Sequence, residues 1–318
     1  MMNMYHMMVL NIVNLLILLI ILLMGIAFLT LLERKILGYI QMRKGPNKVG
    51  FSGLIQPFSD AIKLLTKELF YVYKSNYYMF YLCPFLSFSL MLVMWLLFPY
   101  NTNIYFLNYS ILLLFILMTL GGYLLIFMGW SSNSMYSIMG AIRSVSQMLS
   151  YEVSFMLIMF VLMFMGEGYS FMDLVKFQKN LWFMVAFYPL FLIYFISVMA
   201  ELNRSPMDFI EGESELVSGF NVEYFSGGFT LIFLGEYGMI IFLSFVSMTL
   251  FTDLILQSNF ISFFSIIIFS LMIILMRGLL PRLRYDELMY LCWKIILPFI
   301  LMYIILIMSV KFFLFILL

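Results

Sequence analysis

The residues most able to do chemistry in this chain are carboxylates. The segment from Ala200 to Tyr224, AELNRSPMDFIEGESELVSGFNVEY, holds Glu201, Asp208, Glu211, Glu213, Glu215 and Glu223 against a single arginine, Arg204. Phe209, Ile210, Leu216, Val217 and Phe220 are interleaved with them, so some of the acids must lie against apolar surface. A solvated face is the ordinary outcome for a charge run. Carboxylates crowded at low dielectric behave differently: desolvation and mutual repulsion disfavour the ionised forms, and such groups exchange protons near neutral pH. A proton path requires this property. If the segment is helical, Glu211 and Glu215 share a face, where like charges cost roughly 0.2–0.5 kcal/mol.

Two further acids, Glu152 in SVSQMLSYEVS and Glu236 in FLGEYGM, fall within or at the edge of apolar runs. An acid inside a membrane costs about 2.5–3.5 kcal/mol on insertion scales and usually faces a cavity, a partner or a pathway. The plain alternative for Glu152 is a structural pair with Arg143. Basic residues form two clusters, one from Glu33-Arg34-Lys35 to Arg43-Lys44-Gly45-Pro46-Asn47, the other from Arg277 to Arg284 with Asp286 and Glu287. Both read first as topological anchors. The first lacks the GxxxxGK[ST] spacing of a phosphate loop, which excludes nucleotide binding there. Phe220, Tyr224 and Phe225, beside the acidic segment, are candidates to line a passage for a flat apolar ligand.

The elements that must position these side chains are membrane helices. Of 318 residues, 65% are hydrophobic and 10% charged, against about 25% charged in soluble domains. The expected fold is an all-α integral membrane protein, one polytopic domain over 1–318. About eight spans lie near 9–31, 79–98, 107–128, 147–165, 181–199, 229–251, 260–277 and 290–310. The first is long enough to be a retained membrane helix rather than a cleaved leader. In the first inner loop Leu54, Ile55, Phe58, Ala61, Ile62, Leu65 and Leu69 follow helical spacing, opposite Gln56, Ser59, Asp60, Lys63 and Lys67, with Pro57 in the first turn. This predicts an amphipathic surface helix. Of the 17 basic residues only Lys176, Lys179 and Lys311 lie off the odd-numbered connections, which places those loops on the cytoplasmic or matrix side.

Composition also limits the redox chemistry. Two distant cysteines, Cys83 and Cys292, and one histidine, His6, supply neither a disulfide framework, a bis-histidine haem site nor a four-thiolate cluster. Electrons would have to arrive from another subunit. A net charge of +1 offers no field for nucleic acid.

Four blocks, ERKILGYIQMRKGPNKVG with GLIQPFSDAIKLLTKE, MGAIRSVSQMLSYEVS, AELNRSPMDFIEGESELVSGFNVEY and RGLLPRLRYDELMYLCWK, closely resemble the chain 1 family of NADH:ubiquinone oxidoreductase, respiratory complex I. The methionine-rich spans look like a mitochondrially encoded member. Departures such as Leu32 before Glu33 and Ser205-Pro206-Met207, where many relatives have Thr and Pro-Phe, touch packing more than charge. Membrane-bound hydrogenases contain a similar subunit, but the GPNKVG and EGESELVSGFNVEY blocks favour the quinone enzyme.

The resemblance implies a multi-pass subunit of the mitochondrial inner membrane, with its odd-numbered loops in the matrix and no redox centre of its own. It would form much of the ubiquinone tunnel, against hydrophilic-arm subunits carrying FMN and the iron–sulfur clusters that pass electrons from NADH. Antiporter-like membrane subunits and phospholipid would be its other partners. Matching positions make Arg34, Arg43, Asp60, Phe220, Tyr224 and Arg277 tunnel candidates, and Glu152, Glu201, Asp208, Glu211, Glu213, Glu215 and Glu236 proton-coupling candidates. The competing reading is a stand-alone ion-coupled transporter, but the matching pair of broken helices common in transporters does not stand out.

Overall fold

The computed structural model describes residues 2–68, 70, 72–99, 107–209, 219–254 and 259–317. Among them every regular element is helical. In chain order these are α1 (Met2–Ile40), α2 (Gln56–Thr66), α3 (Tyr77–Met94), α4 (Ser110–Ser131), α5 (Met135–Gly166), α6 (Phe171–Phe177), α7 (Phe183–Ala186) and α8 (Tyr188–Glu201). Then come α9 (Ser226–Phe251), α10 (Asn259–Leu279), α11 (Tyr285–Tyr290) and α12 (Leu297–Leu317). A single turn of π-helix, Leu291–Ile296, joins α11 to α12. Seven helices are long and apolar enough to cross a membrane, and α8 is a shorter apolar one. The all-α membrane architecture expected from composition is what folds.

The middle of the bundle is formed by α5 and α9, each with 61% of its most apolar window buried, against 22% for α1. Buried side chains from Leu22 to Ile307 form one continuous core. A satellite core is formed by Phe80, Cys83, Met128, Phe220, Tyr224 and Ile232.

Several boundaries differ from the hydropathy reading: α1 runs on to Ile40 rather than ending near residue 31, and the last span covers Tyr285–Phe313 rather than 290–310. The fourth span begins at Met135 rather than near residue 147, because MGAIRSVSQ is joined to its neighbours by small residues rather than by apolar bulk. A Cβ on Gly129 of α4 would meet Ala141 of α5 at 2.3 Å, and one on Gly140 would meet Gly219 at 3.0 Å. Small residues let membrane helices approach this closely without raising hydropathy. The fifth span is broken. After α7 the chain restarts at Tyr188 with Pro189 in the first turn of α8, where its missing N–H costs nothing. The resulting helix is about 21 Å long, short of a hydrocarbon core of about 30 Å.

The predicted surface helix is α2, and Pro57 does occupy its first turn. It packs on α1 and α9, with Phe58 edge-on to Phe28, and leaves Leu54, Ile55, Ile62 and Leu65 exposed. The turn before it doubles back onto the end of α1. Gly45, at φ +65°, lies against Arg34 and Lys35, and a Cβ on Gly38 would meet its nitrogen at 3.0 Å.

Candidate functional site

The end of α1 supplies two adjacent charges that point in different directions. Glu33 continues the inward stripe of Leu22, Ile26 and Leu29, three or four residues apart, and is itself 4% exposed. Arg34, one position on, swings outward and donates from Nη1 to Asp60 Oδ2 of α2 at 2.5 Å. Gln56 holds the other oxygen of Asp60 at 3.0 Å. Arg34 and Asp60 are therefore direct partners at the surface, while Arg43 is exposed in the turn beyond.

Glu33 is the hinge of a buried cluster. Arg277, in the last turn of α10, donates to its Oε1. Arg204, in the connection after α8, brings Nη1 to 4.0 Å from the same oxygen and Nη2 to 3.8 Å from Glu236 Oε2 on α9. The Arg204 guanidinium lies over the ring of Tyr237, 4.6 Å from its centre. A row of alternating charge, Arg277–Glu33–Arg204–Glu236, thus ties α10, α1, the α8 connection and α9 together. Ion pairs of this kind hold only as a set: removal of one partner leaves a buried charge uncompensated and costs about 3–5 kcal/mol.

Two members of this row, Arg204 and Glu236, line a cavity of about 120 Å³. Glu201, Asn203, Arg204 and Glu236 form its polar end, and Met91, Met94, Met118, Met128, Met148 and Met239 are among its apolar walls. Thioether side chains adapt to flat or irregular contents. Glu201 also interacts electrostatically with Glu152 of α5. Glu152 is 8% exposed, and its Oε1 has no hydrogen-bond partner among the described residues. The proposed Glu152–Arg143 pair does not form, because nine residues at 100° each put the two on opposite faces of α5, about 13 Å apart along the axis.

The connection that carries Arg204 is fixed from two sides. Gln147 of α5 donates to Ala200 O at 3.0 Å and to Met207 O at 2.8 Å. Asp208 accepts from Arg282 at 3.2 Å, Leu283 N donates to Pro206 O at 2.9 Å, and Phe209 meets Tyr285 edge-on. The second basic cluster therefore does more than anchor, since it clamps the acidic segment of the same chain. Glu211, Glu213 and Glu215 lie outside the described residues.

Phe220 and Tyr224 sit in the satellite core. Tyr224 stacks on Phe80 with ring centres 4.4 Å apart, and its hydroxyl shares hydrogen bonds with Ser131 Oγ and Met128 O, both at 3.2 Å. Burial pushes its phenol well above the usual range, so it stays neutral. Met128 and Ile232 belong to this core and also line the cavity, so the aromatic pair backs the cavity wall rather than forming it. Phe225 is exposed.

Sequence reasoning missed Glu33 and Arg204 as members of the cluster. The signal for Glu33 was present in its register with Leu22, Ile26 and Leu29; nothing local marks Arg204.

A polytopic helical bundle with a buried acid–arginine row beside a methionine-walled cavity defines an all-α integral membrane protein. The NADH dehydrogenase family model matches residues 13–308. The chain is 51% identical over 294 residues to NADH-ubiquinone oxidoreductase chain 1 of Aedes aegypti, covering 92% of this chain and 93% of that one. To the chain 1 of Anopheles gambiae it is 49% identical over 291 residues, 92% of each. To that of Emballonura alecto it is 44% identical over 282 residues, 87% of this chain and 89% of that one. The chain therefore belongs to the NADH dehydrogenase family, as a multi-pass oxidoreductase subunit.

Proposed function

We propose that, in NADH:ubiquinone oxidoreductase of the mitochondrial inner membrane, this chain forms much of the passage that holds ubiquinone and converts its reduction into proton movement along buried carboxylates. Electrons come from iron–sulfur clusters in hydrophilic-arm subunits fed by NADH and FMN, and the chain itself only positions, binds and responds. The observation that carries this reading is the Arg277–Glu33–Arg204–Glu236 row, whose Arg204 and Glu236 line a largely apolar cavity. Conversion of a quinone to a quinol takes up two electrons and two protons, so negative charge passes through the ligand before the protons arrive. A row of alternating charge in low dielectric responds strongly to that change, because Coulomb energies there are several times those in water. Glu201 and Glu236 stand at the polar end of the cavity, and Glu152, with an unpartnered oxygen behind Glu201, is the next acceptor inward. Arg34, Asp60, Arg43 and Arg277, with Phe220 and Tyr224 behind the wall, are the tunnel-side residues. Asp208, Glu211, Glu213 and Glu215 extend the coupling set toward antiporter-like membrane subunits. The basic loops face the matrix.

A photoreactive ubiquinone analogue, crosslinked in the assembled enzyme and mapped by peptide sequencing, tests the binding half. Labelling is expected in peptides that carry the cavity walls of α3, α4 and α9 and in the α1–α2 segment, and excess ubiquinone should compete it away. Competed labelling confined to other subunits would contradict the proposal.

A further inference from the structure

We propose that the basic end of the last helix carries a binding site for the phosphate of an anionic phospholipid, centred on Lys294, with the acyl chain lying along α12. This goes beyond the quinone and proton reading and does not depend on it. Lys294 is exposed in the π turn between α11 and α12, roughly 13 Å along the axis from Tyr285. A lysine side chain on a helix leans toward the N-terminus, and here its ammonium reaches back over the Tyr290 ring, 4.6 Å from the ring centre. That places the charge toward the membrane surface from a backbone position below it, the geometry by which lysine bridges hydrocarbon and headgroup. Tyr290 and Trp293, 54% and 51% exposed, flank it, and amphipathic rings of this kind favour the interface.

Charge sets the sign of the ligand. Among the described residues no ion pair uses Lys294. The nearest acid on its side of the helix, Glu287, lies two turns toward the surface. Arg282 and Arg284, also exposed at this end, pair with Asp208 at 3.2 Å and with Asp286 at 3.3 Å respectively. Below Lys294, at helical spacing on the same side, Pro298, Leu301 and Ile305 are exposed beside Met302. The span that contains them is the least buried of the seven, with 17% of its window covered. A cation at the interface over a long apolar track matches a phosphate over an acyl chain, whereas a protein partner at the same place would have to supply a carboxylate at headgroup depth.

The test uses the assembled enzyme in phosphatidylcholine vesicles that contain a trace of phosphatidylglycerol with a photoreactive acyl chain. Labelling is expected on residues 298–305, displaced by unlabelled phosphatidylglycerol and not by phosphatidylcholine. K294R should retain it and K294Q should lower it about fivefold, the equivalent of about 1 kcal/mol for one cation at an anionic surface. Equal displacement by both lipids, unchanged labelling in K294Q, or crosslinks from this face to a neighbouring subunit in place of lipid would each overturn the proposal. If K294Q fails to assemble, the wild-type displacement alone decides.

Discussion

Glu33 shows how much one side chain can carry. Its carboxylate meets Arg277 and Arg204 while 4% exposed, so Glu33→Gln leaves two guanidinium groups short of a counter-charge. The expected loss is about 3–5 kcal/mol, read as a lower thermal midpoint of the assembled enzyme. The double variant Glu33→Gln with Arg277→Gln should recover part of it, because coupled residues are not additive. Glu167, at the opposite end of the bundle, offers a pH test. The Lys311 side chain bonds it at 2.8 Å and holds its carboxyl below the ordinary range. A carboxylate with a depressed folded-state pKa stabilises at neutral pH, and that contribution fades as pH falls through the depressed value. The thermal midpoints of wild type and Glu167→Gln should therefore differ slightly at pH 7 and converge below about pH 4. Residue by residue, the acids were legible because acids inside apolar runs are conspicuous. The role of Arg204 was not, since its partners come from α1 and α9, far away in the chain.

Individual helices were legible where apolar bulk makes them and obscure where close packing does. The long runs of α3, α4, α9 and α10 fell within a few residues of their hydropathy bounds, and the spacing of Phe58, Ile62 and Leu65 with Pro57 was enough to define α2. The first turns of α5 were hidden, because Gly140, Ala141 and Ser144 score poorly on any transfer scale yet permit contact with α4 and with the turn at Gly219. Gly129→Ala tests this directly. The new methyl would overlap Ala141 and press on Ser137 O at 2.9 Å, and overpacking of this kind costs about 1–3 kcal/mol. The expected result is a lower thermal midpoint with the ubiquinone KM little changed. An unaffected midpoint would show that α4 and α5 have room to separate.

At the scale of the whole molecule, charge asymmetry and family membership make two claims: where the chain sits and what it does there. Cysteines introduced at Lys48 and at Lys179 should be labelled by an impermeant maleimide from opposite faces of sealed inner-membrane vesicles, the first from the matrix side. On blue-native gels the chain should migrate with the large respiratory assembly, not as the small oligomer of a stand-alone transporter. The architecture was legible from 65% hydrophobic residues and the position of the basic loops. The cavity was not, because its walls come from α3, α4, α5 and α9 and its polar end from Glu201, Asn203, Arg204 and Glu236. The most direct test of the account is turnover in assembled enzyme carrying Glu201→Gln or Glu236→Gln. NADH:ubiquinone reductase activity and its coupled proton uptake should fall at least tenfold, a barrier change of about 1.4 kcal/mol, while NADH oxidation by an artificial acceptor stays at the wild-type rate. Full ubiquinone turnover and undiminished proton pumping in both variants would contradict it.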